Sequence, residues 1–195
     1  WTPANDHGKR PVMFYNHGGG FVIGSGGAPH QDGANLARNF DVVVVQTNHR
    51  LGLLGFLYLE ELAGPDYAGS GNQGLLDIAQ GLAWVNQNIA AFGGDPDNVT
   101  IFGESAGAMS TGTLLGIPRA RALFHKAILQ SGAAHNVSRE RKAARAARYF
   151  AEALDVYAAT THHNTYRSNE IHHFTHSGLR EQGLNHDALI EYNYV

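Results

Sequence analysis

Apolar positions along the chain follow two spacings. Four short runs are continuously apolar or β-branched: residues 11–15, 42–47, 99–102 and 126–130. Runs such as Val42-Val43-Val44-Val45 suit strands covered on both faces, as in a parallel sheet. Between them the period lengthens. Residues 30–39 read as a helix, and so do residues 73–91, where Leu76, Ala79, Ala83 and Val85 recur at helical spacing. A third helix begins at Ser105. Ser138 reads as the N-cap of a fourth, over residues 139–155, with Ala143, Ala147, Phe150 and Leu154 along one side. Strands alternating with helices predict an α/β doubly wound domain, with ligands expected beyond the carboxyl ends of the strands.

Composition narrows this only modestly. The 195 residues suffice for one domain with a sizeable core, and 43% hydrophobic and 16% charged residues fit a globular protein. A net charge of −3 gives no electrostatic reason to expect a nucleic-acid or anionic-membrane partner. The chain has no cysteine, which excludes disulfides, thiol catalysis and cysteine-ligated zinc. The apolar run at residues 51–59 is too short and too glycine-broken to span a bilayer. Without cysteine or a leader-like stretch, a cytoplasmic setting is slightly favoured; a targeting segment ahead of Trp1 stays open, as does the oligomeric state.

Chemistry enters at two glycine-rich turns. Val99-Thr-Ile-Phe-Gly-Glu-Ser-Ala-Gly-Ala108 reads as a strand, a G-x-S-x-G turn (Gly103, Ser105, Gly107) and a helix start. A serine on so tight a turn has its hydroxyl pushed out at the strand's carboxyl end, facing the N–H groups of the next helix. The motif alone arises by chance in roughly one chain in eight. His17-Gly18-Gly19-Gly20, which follows the strand-like run at 11–15, would do so in about one in fifty. Together, in order and each at a strand end, the two point to acyl transfer with Ser105 as nucleophile. The alternative, two glycine turns without chemistry, has odds below about one in ten.

Five stretches then carry a resemblance: Asn16-His-Gly-Gly-Gly-Phe21, Asn48-His-Arg-Leu-Gly-Leu-Leu-Gly-Phe56, Gly71-Asn-Gln-Gly-Leu-Leu-Asp77, Phe92-Gly-Gly-Asp-Pro96 and Phe102-Gly-Glu-Ser-Ala-Gly107, followed by Gln130-Ser-Gly132. In order and spacing the chain resembles the type-B carboxylesterases, the cholinesterase-like branch of the α/β-hydrolase fold, over about residues 1–155. The resemblance implies a partial three-layer α/β-hydrolase fold with a mostly parallel central sheet, the four strands lying in the order second, first, third, fourth. It implies hydrolysis of carboxylic esters without cofactor or metal, through an acyl-enzyme on Ser105. By position, the backbone N–H groups of Gly19, Gly20 and Ala106 become the oxyanion hole. Glu104 is expected as a buried structural acid, and Arg50, Asn72 and Asp77 as scaffold.

The resemblance also has a boundary. In the family an acid and then a histidine follow the serine, each on a loop after a later strand. Here Glu152, Glu170, His172 and His186 follow Ser105, but none stands in that setting. The expectation is a core over residues 1–156 and a His-rich, irregular or divergent tail over 157–195, which holds six of the twelve histidines. His172-His173-x-x-His176 could ligate a metal if helical, but no acidic cluster supports it. Arg139, Arg141, Lys142, Arg145 and Arg148 read as a solvated helix face rather than an anion site. A chain without the family's base should be a weak or inactive esterase. It should also be marginally folded, because hydrophobic strands such as 42–45 would be left with unpaired edges. Two other readings stay open: a non-catalytic cholinesterase-like binding module, and an inert scaffold with a metal-binding tail.

Overall fold

A computed structural model describes residues 1–160 and, as backbone, the antiparallel pair Phe174–Thr175 and Gly178–Leu179. The tail's histidine spacing lies outside the described residues. The chain divides into two compact units, Trp1–Ala143 and Ala144–Val195. All four strands of the main sheet belong to the first.

These strands are β1 (Arg10–Asn16), β2 (Val43–Gln46), β3 (Gly94–Glu104) and β4 (Lys126–Gln130), in the order β2-β1-β3-β4. Every pairing is parallel. The expected sheet and its order are therefore present, and β3 reaches back several residues further than its apolar run. The helices that join these strands are α1 (Ala34–Phe40), α2 (Gly52–Phe56), α3 (Glu60–Ala63), α4 (Gln73–Asn88) and α5 (Ala106–Leu114); α6 (Glu140–Thr160) follows β4. The expected helix over 30–39 is split into a 3-10 turn, Pro29–Gln31, and α1. The run at 51–59, read only as apolar, contains α2. At α6 the carbonyl of Arg139 accepts the first helical bond, from Ala143 (3.1 Å), so Arg139 rather than Ser138 stands at the cap. All five basic residues of the 139–148 segment are exposed, as a solvated face requires.

The register decides what faces the core. Val12 pairs with Val43 and Val99, and Phe14 with Val45 and Ile101, so these side chains line one face. Ile78, Leu82, Val85 and Ile89 close over that face from α4 and the turn after it. This stripe runs i, i+4, i+7, i+11 and is rotated from the expected one: Leu76 and Ala83 are half-buried at its margins, whereas Ala79 and Val85 belong to it. Phe14, Ile78, Leu82 and Ile101 are fully buried, each contributing about 1.5–3 kcal/mol of apolar transfer energy. Alpha-5 is buried nearly all round. Its small residues Ala106, Gly107, Ala108, Ser110 and Gly112 let it lie close on β1, β3 and β4.

The opposite sheet face is thinner. Tyr15 and Phe102 pack ring against ring at 4.8 Å, and Ile128 beside them stays 45% exposed. Beta-2 departs from the expected open edge: Val44 exchanges two 2.9 Å backbone bonds with Trp1. That pairing blunts the edge at its most hydrophobic point.

This division of labour is testable by urea unfolding. Phe14→Ala should cost about 3–5 kcal/mol, the range for emptying a packed aromatic site. Ile128→Ala, on the open face, should cost less than a third of that.

Candidate active site

Both motif loops leave the sheet at the carboxyl ends of adjacent strands, β1 and β3. Asn16 is in register with Gly103, so the 17–20 loop and the Ser105 turn start side by side. A Cβ placed on Gly18 would stand 3.3 Å from Ser105 Cβ and 3.0 Å from the Glu104 carbonyl, so the two loops touch.

Ser105 sits at φ 53° and ψ −122°, a backbone region that non-glycine residues avoid. Such a conformation costs on the order of 1–3 kcal/mol and persists only where its surroundings impose it. The cause is identifiable. The Ser105 N–H donates to the Gln130 carbonyl at the end of β4 (2.9 Å), while its own carbonyl accepts the first bond of α5, from Met109 (3.0 Å). The chain must turn from strand to helix within one residue. Ser131, also non-glycine at positive φ, directly follows the neighbouring strand β4.

Close approach makes the turn possible. A Cβ on Gly107 would lie 1.9 Å from the Asn16 carbonyl oxygen and 2.7 Å from that of His17, so any side chain there would push α5 off β1. Below this contact a buried chain of hydrogen bonds joins the same elements. Asn16 Nδ2 donates to Thr111 Oγ1 (2.9 Å), whose hydroxyl donates to the Gly107 carbonyl (2.8 Å).

The three amides expected to bind an oxyanion can be placed one by one. A trans peptide points its C=O and N–H in opposite directions. The Gly18 carbonyl lies 2.8 Å from His17 Nδ1, which fixes the Gly19 N–H on the other side. The Gly19 carbonyl accepts from both Val22 and Ile23 (3.1 Å each), which fixes the Gly20 N–H in the same way. Ala106 is the first residue of α5, where amides have no partner within the helix and the helix dipole favours negative charge. Among the described residues nothing accepts a hydrogen bond from these three N–H groups. Gly20 is exposed, Gly19 and Ser105 are half-buried, and Ala106 is buried.

Glu104 departs from expectation. As the last residue of β3 it is exposed, not buried, because no described element covers that side of the strand end. Burial, and then the Glu104 carboxylate, hold the Tyr15 phenol above its ordinary pKa. Arg50 and Asp77 do form scaffold. Arg50 Nη2 and Nε bond the two Asp77 oxygens at 2.7 and 2.8 Å, and the Arg50 amide adds a third bond at 2.9 Å. The guanidinium holds the Asp77 carboxyl below the usual carboxylate range. Asn72 caps α4 through its carbonyl, which accepts from Leu76 (2.9 Å). Sequence reasoning missed a buried pair beneath the loop, His17 and His49, whose rings stack at 4.5 Å. Both lie inside quoted motifs, but only the fold brings them together.

The carboxylesterase family model matches residues 1–182. The chain belongs to the carboxylesterase family. It is 51% identical over 149 residues to para-nitrobenzyl esterase of Bacillus subtilis, covering 76% of this chain and 30% of that protein. The solved carboxylesterase EST55 of Geobacillus stearothermophilus superposes with a TM-score of 0.76 at 50% identity, over 78% of this chain and 32% of that one. Neuroligin-2 of Mus musculus is 47% identical over 133 residues, covering 68% of this chain and 15% of that protein. The fold is that of the family's α/β-hydrolases, and the chain spans about a third or less of the length of these relatives. Among the described residues no helix is long and apolar enough to cross a membrane, and no cluster of His, Asp and Glu could hold a metal ion.

The glycine contacts differ enough to be separated by mutation. Gly107→Ala should cost about 3 kcal/mol or more, since backbone atoms must move to admit the methyl group. Gly20→Ala, where a Cβ meets nothing within 4 Å, should cost only the left-handed backbone penalty, about 1–2 kcal/mol. Urea midpoints of the two variants measure the difference.

Proposed function

We propose that this chain carries the nucleophile and oxyanion-hole portion of a serine carboxylic-ester hydrolase. The observation that carries the reading is Ser105 at positive φ between β3 and α5, against a loop whose Gly18 and Gly19 carbonyls are engaged elsewhere. Ser105 Oγ attacks the ester carbonyl carbon as its proton passes to a base or, without one, to water and then to the departing alcohol, and the carbonyl oxygen becomes an oxyanion received by the N–H groups of Gly19, Gly20 and Ala106. Fixed donors of this kind are worth about 3–4 kcal/mol each in favourable cases. Collapse of the intermediate expels the alcohol and leaves an acyl-serine, which water then hydrolyses.

No base stands beside the serine among the described residues. Among the described residues nothing hydrogen-bonds to the Ser105 hydroxyl. A serine at its ordinary pKa is a weak nucleophile, and what remains without a base is slow catalysis by the oxyanion hole. Family membership and the esterase relatives support an ester substrate, and the reading needs no cofactor.

A second reading, a non-catalytic binding module of the same family, draws on the likeness to neuroligin-2, whose name carries no esterase activity. The intact serine turn argues against it.

Turnover of an activated phenyl ester separates the two. The 195-residue chain should hydrolyse it slowly, and Ser105→Ala should remove that rate. A rate unaffected by Ser105→Ala would favour the binding module. Rapid turnover lost in Ser105→Ala would place a working base within the chain, among the histidines from His162 to His186.

A further inference from the structure

The His17–His49 pair has no part in the acyl-transfer chemistry, yet it is built with care. The rings are 2% and 6% exposed and stack at 4.5 Å with 22° between their planes. A carbonyl can only accept, so His17 Nδ1, 2.8 Å from the Gly18 oxygen, must carry a proton. The backbone of Gly24 closes over this bond: a Cβ there would lie 2.4 Å from Nδ1 and 2.5 Å from the Gly18 oxygen.

His49 is held from both sides along its own chain. Its predecessor Asn48 accepts the Gly26 N–H (2.8 Å), and its successor Arg50 is clamped on Asp77 of α4. The His49 Nδ1 itself is buried with no hydrogen-bond partner among the described residues. It supplies a flat face and no polar contact.

We propose that His49 is a positioning residue for the 18–20 loop: its ring backs the His17 ring, which pins the Gly18 carbonyl and thereby aims the Gly19 N–H. The proposal rests on reading that loop as the oxyanion hole. Two charged or titratable groups face His49, and they act in opposite senses. His17 disfavours the imidazolium and Asp77 favours it, while burial is the largest influence and pushes the His49 pKa down to about 4. The folded protein therefore keeps His49 neutral between its ordinary value of 6.5 and about 4, where the unfolded chain takes up a proton. Stability from the stack is complete above pH 6.5 and is lost as pH falls through that window. Near pH 4 a charge appears against the His17 face, and the loop loosens.

Amide exchange at Val22 and Ile23, the two donors to the Gly19 carbonyl, reads loop order without any catalysis. At pH 7, His49→Ala should lower protection at both amides about tenfold, while His49→Phe, which keeps a flat ring, retains it. At pH 4 the parent chain should lose protection and His49→Phe should not. In parallel, imidazole nitrogen NMR of the parent chain should find His17 protonated at Nδ1. Unchanged protection in His49→Ala, equal loss in both variants, no acid loss in the parent, or a His17 proton on Nε2 would each overturn the proposal. If His49→Ala does not fold, the other three readouts still decide. Ser105→Ala should leave protection unchanged, so failure of the esterase reading and failure of this proposal give different results.

Discussion

The contact on which the site depends is the one between Gly107 and the carbonyls of Asn16 and His17. It brings the N-terminus of α5 within touching distance of the end of β1. Because β1 and β3 are neighbours in register, that approach leaves one residue, Ser105, to make the turn from strand to helix. The strained backbone at Ser105 is therefore a consequence of packing. The Phe14–Leu82 core and the buried Asn16–Thr111–Gly107 bonds hold it from below.

From that contact the polar geometry follows by peptide planarity. Carbonyls at 18 and 19 are engaged on the far side of the loop, by an imidazole and by two amides, and the N–H groups of the next residues are thereby turned the other way. Backbone N–H groups presented in this way need no side chain of their own. What presents them is that the carbonyls are held elsewhere, in this chain by the amides of Val22 and Ile23 and by the His17 ring.

Much of this was legible in the sequence, and the failures have physical causes. Apolar and β-branched runs gave the four strands of the main sheet, and the family resemblance implied their order. The two glycine motifs marked two turns that the fold sets side by side, because turns this tight exclude side chains. Helix limits were less legible: the segment over 30–39 is interrupted at Asp32-Gly33, between the 3-10 turn and α1, and the run at 51–59 contains α2 although its pattern is only apolar. The apolar stripe of α4 was rotated because Leu76 and Ile78 are equally apolar on paper, and only the register of β1 selects Ile78. Glu104 was misjudged since burial depends on what covers a strand end, which alternation along the strand does not report. The histidine stack was invisible for a similar reason. Each ring belongs to a separate motif, and their meeting is a product of the β1–β2 pairing.

The central claim is that Ser105 and the 18–20 loop form one acyl-transfer site. Peptide mapping of the chain after treatment with a fluorophosphonate tests it most directly. The account predicts a single adduct, on Ser105, forming faster in the folded chain than in the urea-unfolded one. An adduct on other residues with Ser105 unmodified, or equal rates folded and unfolded, would contradict it.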